Sequence, residues 1–238
     1  MKKLLVASAL AMALSGPAFA DIVYTFGGGS DGQQAIAQFD FSDANTLTLT
    51  LTDTSPIHDL ASILTDFHFD LSATPTSTSL GTITDTGGME TCTTSTGKPP
   101  HITTCSNDPD TDATGLWTLT PSGAHIDMVA NGQPQSLHPY GIGNDTFITN
   151  AAQDGLTNPQ HNPVLLGPVS FDITFTGLTT IPTVSGVVFS FGTTPDLVPG
   201  ECTSGNNCQP IGETPEPQSL LLVTLGLLAL LYVRRSMA

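Results

Sequence analysis

Leucine and threonine alternate without a break from Thr46 to Thr52, so that Leu47, Leu49 and Leu51 share one side and the threonines the other. A period of two is the signature of a half-buried β-strand. The same period runs through Phe39-Asp40-Phe41, through Phe67-His68-Phe69-Asp70-Leu71, and through Val169, Phe171, Ile173 and Phe175. It returns at Val187, Phe189 and Phe191. Turn-forming clusters separate these runs: Gly27-Gly28-Gly29-Ser30-Asp31-Gly32, Gly87-Gly88, Pro121-Ser122-Gly123 and Asn131-Gly132. Between the two ends of the chain, only residues 57–64 offer a short helical turn. The pattern predicts an all-β body, a β-sandwich of about ten strands in the jelly-roll or immunoglobulin-like range. Residues 72–114 are rich in Thr, Ser and Pro and lose the period, which predicts an irregular excursion or a long hairpin.

The two ends follow a different pattern. Lys2 and Lys3 precede an apolar run from Leu4 to Leu14, and Gly16-Pro17 then breaks it. Ala18 and Ala20 are the small residues that a signal peptidase requires, so residues 1–20 are expected to be a cleaved signal peptide and Asp21 the first residue of the exported chain. At the other end, Ser219–Val233 is uncharged and apolar, about 22 Å long as a helix at 1.5 Å per residue. Tyr232 and the pair Arg234-Arg235 close it. An aromatic residue at the interface followed by arginines that resist translocation predicts a single transmembrane helix over 219–233. The arginines then stay cytoplasmic and residues 21–213 lie outside.

Immediately before that run stands Pro215-Glu216-Pro217. The proline pair holds the backbone extended and keeps it out of the helix that follows. A PEP triplet, a short Leu-rich helix and an arginine cluster, in this order over 215–238, resemble the PEP-CTERM sorting signal of Gram-negative bacteria. The resemblance implies recognition and processing by an exosortase, an integral-membrane cysteine transpeptidase-like enzyme. Pro215, Glu216 and Pro217 would be the recognition motif, and Arg234 and Arg235 the cytoplasmic stop. It further implies an inner-membrane-anchored precursor that ends at the cell surface or outside, in bacteria that make exopolysaccharide. Residues 138–195 are also similar to the closing portion of other PEP-CTERM passengers, which generally carry no assigned catalytic activity. The resulting organisation is a signal peptide (1–20), an acidic passenger (21–213) and a sorting signal (214–238).

Charge narrows the function. Between residues 21 and 214 there are 20 acids and one base, Lys98, and the whole chain carries −16. So negative a surface repels phosphate backbones, which excludes nucleic-acid binding. Four cysteines lie on the exported side, Cys92, Cys105, Cys202 and Cys208. An even count in an oxidising compartment predicts disulfides, and sequence proximity favours 92 with 105 and 202 with 208 among three connectivities. The first would staple the irregular 72–114 region. Neither pair has the CxxC spacing of a zinc site.

Candidate chemistry is sparse. Asp108, Asp110 and Asp112 place carboxylates at alternate positions near Gly115, a donor set suited to Ca²⁺. Ala113 and Leu119 occupy the sixth and twelfth positions, where an EF-hand needs Gly and Glu, so a solvated acidic turn is the competing reading. Six histidines, His58, His68, His101, His125, His138 and His161, form no HExxH or HxH pattern. His68 alternates with phenylalanines and reads as an outer-face strand residue. A constellation of His101, His125 and nearby aspartates would have to be assembled by the fold. Ser95-Thr96-Gly97-Lys98 fits SxxK but lies before Pro99-Pro100 with no KTG, and there is no GxSxG, P-loop or dinucleotide fingerprint. Trp117 reads as core. The sequence therefore points to a non-enzymatic exported surface or matrix protein associated with exopolysaccharide. A carbohydrate- or calcium-binding module is the alternative, and a secreted hydrolase a more remote one.

Overall fold

The computed structural model describes residues 22–30, 32–56, 60–94, 103–109, 113–130, 139–144, 162–192, 196–203 and 211–212. The chain opens with a meander of long antiparallel strands, β1 (Ile22–Ser30), β2 (Gln33–Asp43) and β3 (Thr46–Asp53). A 3₁₀ turn at Leu60–Ser62 falls within the stretch where a helical turn is expected. There follow β4 (Leu64–Leu71), β5 (Ser77–Asp85), β6 (Met89–Thr94), β7 (Thr103–Asp108), β8 (Trp117–Ser122) and β9 (His125–Ala130). The chain continues with β10 (Ile142–Gly143), β11 (Val164–Leu166), β12 (Val169–Thr176), β13 (Val184–Phe191), β14 (Asp196–Pro199) and β15 (Glu201–Cys202).

These strands make two sheets. The first runs β15–β1–β2–β3–β12–β5, so β12 returns from far along the chain to lie between β3 and β5. The second runs β14–β13–β4–β10–β11–β6–β7, and β9 pairs with β4 and carries β8 on its other side. Apart from the parallel β10–β11 contact, the described ladders are antiparallel.

Alternation explains why the sheets face each other. Leu47, Leu49 and Leu51 of β3 are fully buried while their threonine neighbours are not. On β2, Phe39 and Phe41 point inward, and on β4 Phe67 and Phe69 do the same from the opposite layer. Phe39 meets Phe69 edge-on at 5.0 Å between centroids and Phe67 at 6.0 Å, so aromatic contacts stitch the two layers together. Trp117 is core, as its strand position predicts. It packs edge-on against Phe171, and its indole N–H donates to the Tyr140 carbonyl at 2.9 Å. At the rim, Gly28 of β1 lies so close to Phe189 that a Cβ there would sit 2.8 Å from the ring. Glycine at this position lets the edges of the two layers approach.

The 72–114 region is more regular than its composition predicts. β5 pairs with β12 from Ser77↔Thr176 to Asp85↔Val169, and β6 pairs with β7. The β5 ladder shifts register between Phe171 and Ile173, so its inward residues, Leu80 and Ile83, fall three apart and break the period of two. Cys92 and Cys105 are direct cross-strand partners and form a disulfide, with a small apolar cluster of Ile63, Val164 and Leu166 beneath. The arrangement is a two-layer all-β sandwich with more strands than the ten or so that the alternation predicts. The expected signal peptide and transmembrane helix lie outside the described residues.

Candidate metal centre and other sites

On β4 the inward phenylalanines leave Asp66, His68 and Asp70 on the other face. On β9, Ile126 and Met128 point inward and leave His125 and Asp127 outside. Register then places His68 opposite Asp127 and Asp70 opposite His125. Five titratable side chains therefore converge on the outer face of the second sheet.

His125 is the hub. Its Nδ1–H donates to Asp70 Oδ1 at 2.7 Å, while Nε2 lies 3.2 Å from Asp127 Oδ1. The same Asp127 oxygen is 4.0 Å from His68 Nδ1, and the two imidazoles sit 5.1 Å apart between centroids. Ligand atoms of His68, His125 and Asp127 all fall within 4.8 Å of one another. The hydrogen bond to Asp70, reinforced by the charges of Asp127 and Asp70, raises the His125 pKa against a smaller opposing effect of burial. Asp66 is raised as well, first by burial and then by the charge of Asp127, while His68 and His125 oppose the shift. Its Oδ1 is buried without a hydrogen-bond partner.

The backbone beside this cluster is adapted to it. β13 bulges between Ser185 and Val188 where it pairs with β4, and Gly186 adopts φ +59°. A Cβ at Gly186 would approach Asp70 Oδ2 to 2.2 Å, so glycine there leaves room for the carboxylate that holds His125.

Two other places hold buried carboxyls. Glu90 of β6 is almost wholly buried, its Oε1 3.4 Å from Cys92 Sγ and its Oε2 without a hydrogen-bond partner, and burial pushes it up to about 7. Glu90, Cys92 and Cys105 are close enough for a metal, but the sulfurs are joined and offer no thiolate. Asp53 ends β3 beside buried Ser55 and is also pushed up to about 7 by burial. An open cleft of about 630 Å³ lies over β1 and β14, bordered by Gly28, Gln34, Ile36, Leu197 and Glu201. Among the described residues no aromatic ring lines it, so these offer no stacking platform of the kind usual for sugars.

The sequence-derived candidates fare unevenly. Asp108 sits exposed at the end of β7, whereas Asp110 and Asp112 lie outside the described residues. Cys202 lies on β15 and Cys208 outside the described residues. His58, His101, His138 and His161, the Ser95–Lys98 segment, and the expected cleavage residues Ala18, Ala20 and Asp21 also lie outside them. His68 occupies the outer face, as its alternation predicts, and the constellation at His125 is built with His68 and with Asp66, Asp70 and Asp127. Sequence reasoning did not single out those three aspartates. The signal available was Asp66-x-His68-x-Asp70 on one strand and His125-x-Asp127 on another, the spacing that puts every member on one face.

Residues 213–236 match the family model of the PEP-CTERM protein-sorting motif. The chain carries a PEP-CTERM protein-sorting motif. Pro215, Glu216 and Pro217 fall within the match, as do Arg234 and Arg235, all outside the described residues. The motif marks PEP-CTERM proteins as exosortase substrates, which are exported and processed to become extracellular. Its match is confined to the sorting signal, so it speaks to delivery and leaves the chemistry of the sandwich to the geometry above. No curated protein and no solved structure gives a significant match to the chain.

Proposed function

We propose that the chain is a non-enzymatic exported protein, released or attached at the cell surface and held in an exopolysaccharide-rich matrix. The PEP-CTERM motif at 213–236 is the observation that carries this reading. Composition supports it: a sandwich with 20 acids against one base between residues 21 and 214 repels its own copies and stays dispersed at high concentration. Divalent cations would bridge such a surface to anionic polysaccharide. The test compares the C-terminal mass of the exported protein from strains with and without the exosortase, and from a Pro215→Ala, Glu216→Ala, Pro217→Ala variant. A shortened product only when both enzyme and motif are present is the expected result; identical masses in all strains overturn it.

A second reading is a binding module for carbohydrate or Ca²⁺. The open cleft beside β1 has Gln34 and Glu201 on its border as polar groups for such a ligand, although no described aromatic ring lines it for stacking. Calorimetry against a glycan panel and against Ca²⁺ separates the two readings, because heat from a glycan would make the sandwich a receptor rather than a matrix component.

A further inference from the structure

We propose that His68, His125 and Asp127 form a binding site for a divalent first-row transition-metal ion of the zinc class, with Asp70 orienting His125 from behind. Two imidazoles and a carboxylate are a donor set that suits such ions and disfavours Ca²⁺ and Mg²⁺, which take oxygen. The spacing fits. Ligand atoms about 2.1 Å from a tetrahedral ion lie about 3.4 Å apart. Asp127 Oδ1 is 3.2 Å from one imidazole nitrogen and 4.0 Å from the other, so small side-chain rotations close the set.

The Asp70 contact is what a metal-binding histidine requires. Its acceptance of the Nδ1 proton fixes the tautomer in which Nε2 keeps a lone pair, the carboxylate–histidine–metal arrangement. Nε2 is the atom that faces Asp127. Asp66, two residues before His68 on the same face, presents a buried oxygen with no hydrogen-bond partner and is electrostatically coupled to all three ligands. The site is built on two paired strands rather than on loops, and its side chains are about one-quarter to one-half exposed, so an ion can enter and water can complete the shell.

The test is calorimetric titration of the full chain, purified without a histidine tag and stripped with EDTA, with Zn²⁺ and separately with Ca²⁺. One tight Zn²⁺ site unaffected by excess Ca²⁺ is expected. His68→Gln with His125→Gln should weaken it at least about 100-fold, and Asp70→Asn about 10- to 100-fold. Replacing His58, His101, His138 and His161 together by Gln should leave it intact. Should the double variant fold poorly, Zn²⁺-induced shifts of the imidazole NMR signals in the wild type, confined to His68 and His125, carry the same decision. Absence of a tight Zn²⁺ site, survival of the site in the double variant, or shifts at the other histidines instead would overturn the proposal. The cluster would then be an ion-pair ladder around a protonated His125.

Discussion

Asp53 should make this protein less stable as the pH rises from acid to neutral. The residue is 3 % exposed; Oδ1 accepts the Ser55 N–H at 2.8 Å, and Oδ2 has no hydrogen-bond partner. Burial raises its pKa from 3.8 to about 7, and hydrogen bonds from Ser55 and Asn144 only partly offset that. The folded state therefore holds this proton more tightly than the unfolded chain does. Below the unfolded value both states are protonated, and the contribution to stability is fully present. It is lost as the pH climbs from about 4 to about 7. A gap of about three pH units at 1.36 kcal/mol each corresponds to about 4 kcal/mol. Asp53→Asn preserves the acceptor for Ser55 and removes the titration. Urea unfolding of wild type and variant at pH 4, 5.5 and 7 should show the wild type losing about 4 kcal/mol relative to Asp53→Asn across that range. Glu90 and Asp85, raised by burial to about 7 and about 6, act in the same direction but are common to both proteins and cancel in the difference. Parallel stability curves for the two proteins would refute the reasoning.

Two further predictions concern the scaffold. Phe39 is fully buried and lies against rings from both layers, so Phe39→Ala should cost about 3–5 kcal/mol in denaturant unfolding; a loss below about 1 kcal/mol would show that the layers are not held by this contact. Cys92→Ser with Cys105→Ser opens a crosslink between residues 13 apart and should cost about 3 kcal/mol, so reductant should lower the thermal midpoint of the wild type by more than that of the variant.

The strands that were legible in the sequence are those with one wet and one dry face. β3 begins at Thr46 and β12 at Val169, where the alternation places them, because Leu47 to Leu51 and Phe171 to Phe175 need only a period of two to be recognised. β5 was hidden for a physical reason: a register shift opposite Asp172 separates Leu80 from Ile83 by three, and threonine and serine fill the rest. The disulfide 92–105 was readable from proximity alone, and the strand pairing that makes the two cysteines direct neighbours agrees. The metal centre was half visible. The order Asp-Phe-His-Phe-Asp reveals which β4 residues share a face. That Asp127 stands opposite His68 depends on the β4–β9 register, which no local pattern encodes. Asp108, Asp110 and Asp112 suggest calcium because closely spaced acids are conspicuous in a sequence, whereas a site spread over two strands is not.

The place of β12 between β3 and β5 bears on how the molecule matures after secretion. Partners such as Thr50 and Ser170 are 120 residues apart in the chain, and a strand pair that distant forms late because its loop-closure entropy must be met first. A polypeptide emerging N-terminus first can zip β1, β2 and β3 at once, yet the outer rim of β3 then stays bare until nearly three-quarters of the protein has crossed. During that interval the rim is an invitation to any neighbouring nascent copy. The abundance of negative charge keeps such neighbours apart, which gives the composition a kinetic role before the finished particle ever meets its surroundings.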